Sequence, residues 1–241
     1  DLNKAIRRQR QMCIRDRTLT LLFSFMVAFP FVLSAQSAGE LLQKVSAALS
    51  EGQDDYAVSL FRQSIKAGAD QTEMFYWTQV EKNSAVAPRL VNELATYYKR
   101  KRNYDKAYLF YREFLQYHSD DVPALVSCAE MEMMRGKEKD AVKTYEKVLI
   151  LDANNLQANI FLGNYFYLQA EREKKKLEDD YKKITSPTRM QYARYRNGLS
   201  DVYSNGYSKA KDYLQRVLQL FPSTEAGNTL EKIKKLEIEI K

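Results

Sequence analysis

The sequence predicts an all-α protein, a solenoid of antiparallel helix hairpins, and three observations carry that prediction. The first is a repeat. Advancing Val91, Leu94, Ala95, Ala107, Tyr111, Phe114 and Leu115 by 34 residues lands on Leu125, Cys128, Ala129, Ala141, Tyr145, Val148 and Leu149, and a further step from Cys128 and Ala129 reaches Leu162 and Gly163. A fixed period of this size marks one supersecondary unit copied along the chain, each copy too small to bury its own apolar face and so stacked on the next. The second is periodicity within the unit: apolar residues recur at three and four, the spacing of a helix stripe, in two runs parted at Arg102-Asn103 or Gly136. The third is composition, since eight Gly and five Pro in 241 residues leave few helix breakers.

Residues 88–121 and 122–155 form the two clear copies. Small residues mark where their helices cross, Ala95, Ala129 and Gly163 on the first helix and Ala107 and Ala141 on the second. Enlarging Ala107 or Ala141 to Leu is expected to cost about 1–3 kcal/mol by overpacking. At these residues the chain resembles the tetratricopeptide repeat family, whose helix-turn-helix unit keeps small residues at the crossing points, an aromatic on the second helix and a Pro at its end. Tyr111 and Tyr145 supply the aromatic; Ser119 and Ala153 replace the Pro, which returns as Pro187 and Pro222. The resemblance implies a right-handed superhelical solenoid over most of the chain beyond about residue 38.

The chain opens on Asp rather than Met, and residues 1–17, with Lys4, Arg7, Arg8, Arg10, Arg15 and Arg17, are read as a non-native or basic leader. Thr18 to Leu33 is almost wholly apolar and runs into Ser34-Ala35-Gln36-Ser37-Ala38. A positive flank, a short apolar core and a small-residue exit describe a secretory signal peptide over 18–35. The core is short of the roughly 18–20 residues a spanning helix needs, so cleavage after Ala35 is expected, with an uncleaved membrane anchor as the alternative. The expected compartment is the periplasm or the exterior, with no stable membrane span once the leader is gone.

Residues 36–87 read as a divergent first repeat followed by an extra helix. Leu41, Leu42, Val45 and Ala48 form one stripe, Gly52 ends it, and Ala57, Phe61 and Ile65 form the second. Residues 71–83, with Phe75, Tyr76, Trp77 and Val80, make a lone aromatic helix at a seam, where Trp77 is expected to fill core space. The register slips here, since Ala57 to Ala107 is 50 residues.

The array spans 88–224. Its third copy, 156–189, starts with Ile160, Leu162, Gly163 and Phe166 and then loses all punctuation from Tyr165 to Thr185. The charged run Glu171–Asp180 suits a solvated helix face with pairs such as Glu171 with Lys175 and Glu178 with Lys182. Either a turn is hidden near Ala170, or one helix of about 28 residues projects and returns through Ser186-Pro187. The stripe Tyr192, Tyr195, Leu199 and Val202, suited to packing on Leu177, Tyr181 and Ile184, favours the second. A fourth copy, 191–224, carries Gly198, Ala210, Val217, Leu218 and Leu220, and 225–241 is the capping helix.

Whole-chain charge is +7, but residues 1–35 hold six basic and two acidic side chains, leaving 32 against 29. Acids interleave with those cations, which describes a solvated helical surface rather than a nucleic-acid footprint. Cys128 is the single Cys beyond the leader, so an internal disulfide is excluded there, and its place on the apolar stripe describes a core thiol. The lone His118 ends a second helix; no HExxH, zinc spacing or phosphate loop occurs, so neither enzyme activity nor a cofactor or metal is expected.

What remains is binding. Stacked hairpins line a concave surface with their first helices, suited to a peptide or a partner's helix. By the resemblance, the groove-facing residues are Arg89, Asn92, Thr96, Lys99 and Arg100, then Val126, Glu130, Met133 and Met134, then Ile160, Asn164 and Tyr167. This describes a cationic end beside an adaptable Met-rich middle, and the family's carboxylate clamp is not reproduced. The expected role is a non-catalytic interaction scaffold with protein partners in the cell envelope. The alternatives are a subunit of an outer-membrane assembly or secretion complex docking through the 165–204 hairpin, or a basic surface binding anionic polymer or membrane.

Overall fold

A computed structural model describes residues 37–240; the leader expectations for 1–35 lie outside them. The described residues are helical throughout, without strands. Four helix pairs stack in sequence order. The first comprises α1 (Ala38–Ser50) and α2 (Asp54–Ala67), followed by the unpaired α3 (Ala69–Gln79). Helices α4 (Ala87–Arg100) and α5 (Tyr104–Tyr117) form the second, and α6 (Val122–Met134) and α7 (Glu138–Leu151) the third. Then come α8 (Leu156–Lys182), α9 (Arg189–Val202), α10 (Ser208–Leu220) and α11 (Thr224–Ile240). This is the tetratricopeptide-type solenoid the repeat predicts.

The boundaries follow from local chemistry. Asn103, Asp121 and Asn155 cap α5, α6 and α8 by accepting from the backbone N–H three residues on, and Pro88 and Pro123 occupy first turns, where no N–H is needed. The inner turns are left-handed: Gly52 and Gly136 have φ of 70° and 72°, and Arg102 takes the same place at 57°. Each closes its helix with the paired backbone bonds of a Schellman turn, as Asn103 N to Tyr98 O at 3.0 Å and Lys137 N to Glu132 O at 2.8 Å.

The core runs along the array in three abutting clusters, with Leu115 bridging the first to the second and Phe166 the second to the third. Ala95, Ala107, Ala129 and Ala141 are fully buried at the helix crossings. The insertion of α3 accounts for the slip between Ala57 and Ala107. Its Tyr76 is buried, while Trp77, expected in the core, stacks on Phe110 at 5.7 Å yet keeps an exposed edge beneath Lys82.

The departure comes after Asn155. Helix α8 is 27 residues long, against 14 for α4 and 13 for α6. From Arg189 to Leu220 the backbone stays helical, α9 passing into α10 through a π-helical turn at Tyr203–Tyr207. The main partner of the first half of α8 is α10, and α9 packs along its second half. Residues 156–220 therefore form one elongated hairpin: α8 is the long helix of about 28 residues that the unpunctuated run favours, and the stretch 191–224, expected as a separate copy, supplies its returning arm. The widened turn turns both Gly206 and Tyr207 inward. Gly206 lies where a Cβ would sit 2.6 Å from Ala170 Cβ, and Tyr207 donates to Glu171 Oε1 at 2.6 Å. With Glu171 so engaged, the ion pairs formed nearby are Lys174 with Glu178 and Lys183 with Asp180, rather than the two anticipated. Further out, Tyr181 stacks on Tyr195 at 4.4 Å, as the stripe predicts, and Gly198, expected at a crossing of the fourth copy, faces Leu177 instead.

Candidate functional site

Between α6, α7 and the first half of α8 lies a cavity of about 670 Å³. Its floor is aromatic: Tyr145 meets Phe161 at 4.6 Å between ring centres, and Phe161 stacks on Tyr165 at 6.1 Å. Burial, with Glu130 and Glu132 near, pushes the Tyr145 hydroxyl above its ordinary range, so it stays neutral. Over this floor stand Met133, Ile160 and Leu168, the last two 39% and 51% exposed. Gln157, Asn164 and Gln169 offer amides at the edge, and Glu138, Lys139 and Arg172 close it with mixed charge.

Four of the twelve predicted residues meet here: Glu130, Met133, Ile160 and Asn164. Arg89 and Asn92 line a separate shallow recess beside His118, where Arg89 pairs with Asp55 at 2.5 Å. Lys99 binds Glu130 at 2.5 Å and Ser127 Oγ at 3.1 Å, and Glu130 also accepts from Gln157 at 3.0 Å. That chain ties α4, α6 and α8 together, so the cationic end anticipated at Lys99 is neutralised within the solenoid. Thr96 is half-buried, and Arg100 is exposed at the end of α4. Val126 is buried in the core. Met134 is exposed in a different recess, with Lys101, Arg102 and Arg135. Tyr167 lies on the other side of α8, its ring edge-on to Tyr207 at 5.9 Å. Among the groove residues not anticipated, Leu168 and Arg172 continue the stripe of Ile160 and Asn164 by steps of four along α8.

What this arrangement can do is enclose apolar side chains between amide and charged edges. Cys128 is buried and its thiol is pushed up to about 12, chiefly by burial, so it is no thiolate nucleophile. Among the described residues no group of three or more His, Cys, Asp or Glu could hold a metal ion.

No family model matches the sequence, and no curated protein matches it. A solved structure from Bacteroides ovatus, provisionally described as a protein-binding protein, is 59% identical, covering 86% of this chain and all of that one, with a TM-score of 0.77. A tetratricopeptide repeat protein from Parabacteroides merdae is 16% identical over 84% of this chain and 74% of that one, with a TM-score of 0.36. A thermophilic tetratricopeptide protein from Thermus thermophilus is 12% identical over 84% and 100%, with a TM-score of 0.31. Nothing rests on the last two. Identity of 59% across the full length of the Bacteroides ovatus protein is decisive, and this chain belongs to the same family as that protein, with a helix-hairpin solenoid of tetratricopeptide type.

Proposed function

We propose that this chain is a non-catalytic scaffold that holds a partner protein, taking an apolar segment of it, extended or helical, into the groove between α6, α7 and α8. The exposed apolar stripe of α8 carries the reading: Ile160 and Leu168 stand uncovered beside Tyr145, Phe161 and Tyr165. Covering a large aliphatic side chain is worth about 1.5–3 kcal/mol from full exposure. The provisional protein-binding description of the Bacteroides ovatus relative supports the same role. Export to the cell envelope is part of the proposal, supported by the basic flank, apolar run and small-residue exit of residues 1–38.

A photo-crosslinking side chain placed at Leu168, and separately at Ile150, tests this in cells. Ile150 is 83% exposed and lies outside the groove. The proposal expects a discrete protein adduct from position 168 that is missing from 150 and disappears in an Ile160→Ser background. Identical adducts from both positions, or none from 168, would overturn it.

A further inference from the structure

The end of the α8–α9 hairpin is strongly basic. From Tyr181 to Ser200 the sequence has five basic residues, Lys182, Lys183, Arg189, Arg194 and Arg196, and no acidic one; the remainder of residues 36–241 has 27 basic against 29 acidic. The stretch therefore carries a net charge of +5, against −2 for the rest of residues 36–241. Apolar surface accompanies it: Met190 is 68% and Tyr192 51% exposed, and Ile184 is half-buried. The tip is ordered from within. Tyr181 contacts both Tyr195 and Tyr192, the latter at 6.3 Å, and Thr188 and Gln191 form a capping box that starts α9. Asp180 engages Lys183 at 2.9 Å, while Lys182, Arg189 and Arg194 are exposed. Tyr181 lies nine residues beyond Arg172 along the same helix, about 13 Å at the rise of an α-helix, so an occupant of the tip leaves the groove open.

We propose that this tip docks on an anionic lipid surface. Phosphate headgroups complement the cations, each worth about a five-fold gain in binding near such a surface. The exposed Met190 and the tyrosine rings, apolar with a polar edge, suit the boundary between headgroups and acyl chains. A soluble polyanion would use the cations alone and give Met190 no role. The contact is a surface attachment, since no described helix is long and apolar enough to cross a membrane.

The test uses the full chain, so that the leader contributes equally to every variant. Binding is measured to vesicles of phosphatidylcholine with phosphatidylglycerol, to phosphatidylcholine alone, and to soluble polyphosphate. The expected result is preference for the mixed vesicles, with binding falling more than about a hundred-fold when Lys182, Lys183, Arg189 and Arg194 are all changed to Gln. A Met190→Trp chain should show a blue shift in emission on the mixed vesicles, and an Ile150→Trp chain should not. Helix content should be unchanged, because all these side chains are exposed, and so should the adduct at position 168, which reads the groove independently. Equal vesicle binding by the four-fold Gln chain, no blue shift at position 190, or binding confined to polyphosphate would each overturn the proposal.

Discussion

Gly206→Ala is a sharp test of the elongated hairpin, because the added methyl has nowhere to go. A Cβ at 206 would lie 2.6 Å from Ala170 Cβ, 3.4 Å from Ala170 Cα and 3.5 Å from Phe166 O. Carbon atoms rest at about 3.5–4.0 Å, so the helices must part by about 1 Å, and neither alanine can rotate away. Overpacking of this kind costs about 1–3 kcal/mol, offset by the roughly 1 kcal/mol that Ala gains over Gly inside a helix. Gly227 supplies the reference, since it lies in α11 with nothing within 4 Å of its Cβ direction. Gly227→Ala should therefore stabilise slightly, and the two substitutions should differ by about 1–3 kcal/mol, the steric cost alone. In a chain of this size that is a gap of roughly 2–4 °C in Tm per kcal/mol, readable by thermal melting and confirmed in urea. Should Gly206→Ala raise Tm as much as Gly227→Ala, α8 and α10 do not approach one another at this turn.

Other expectations follow from single contacts. Arg102→Gly should stabilise by about 0.5–1 kcal/mol, because Arg102 holds the left-handed conformation that Gly52 and Gly136 hold in the equivalent turns; urea denaturation reads it, and no gain would mean the turn is not strained. Glu132 is buried, accepts from Thr144 Oγ1 at 2.7 Å, and has its carboxyl pushed above the ordinary 4.5, chiefly by burial, with Asp140 adding to the rise and Arg112 and Arg135 opposing it. A raised folded pKa means the folded state binds the proton more tightly, so stability falls as pH rises above 4.5 through the folded value. Glu132→Gln should remove that fall, and its stability advantage over the unaltered chain should grow from acidic toward neutral pH; a constant difference would refute the assignment. Tyr207→Phe removes the bond to Glu171 across the elongated hairpin and should cost about 1.5–3 kcal/mol, the range for a hydrogen bond to a charged group, seen as a lower urea midpoint with an unchanged slope.

The first two regular repeats were legible because each residue that repeats at 34 is held by the same neighbour in the next copy. The elongated hairpin was legible in part: the unpunctuated run favoured a long helix returning through Ser186-Pro187, as α8 does, but the continuation through Ala210 to Leu220 read as a separate copy. Ala210 lies 69 residues after Ala141, one more than two repeat lengths, so an insertion of nearly one repeat imitated a further copy. Gly198 added to the imitation: it sits where a crossing glycine would, but it accommodates Leu177 of α8. The signal that did survive was negative, the absence of any breaker from Tyr165 to Thr185, together with the rotated stripe of Tyr192, Tyr195, Leu199 and Val202. At the site, Ile160 and Asn164 were visible from the repeat, and Leu168 and Arg172 are the next residues of the same stripe along the long helix the sequence favours. Lys99 could not be assigned from spacing, because its pairing with Glu130 depends on how α4 and α6 stack. Tyr167 went astray for a related reason: the ring that covers it, Tyr207 in the π-helical turn before α10, lies in the stretch read as a different repeat.

The groove and the tip both depend on α8 pairing with α10, and a pair of disulfide-trapping variants tests that pairing most directly. Gly163 approaches Leu214, with the nearest backbone atom, Leu214 N, 3.5 Å from its Cβ direction. A regular repeat, with the offset of 12 that separates Ala95 from Ala107, would instead bring Gly163 to Lys175. Gly163→Cys with Leu214→Cys should crosslink rapidly and nearly completely under mild oxidation, and Gly163→Cys with Lys175→Cys, which stand about 18 Å apart on one helix, should not. Crosslinking of the second pair and not the first would restore the four-repeat array and remove the elongated hairpin that carries the tip.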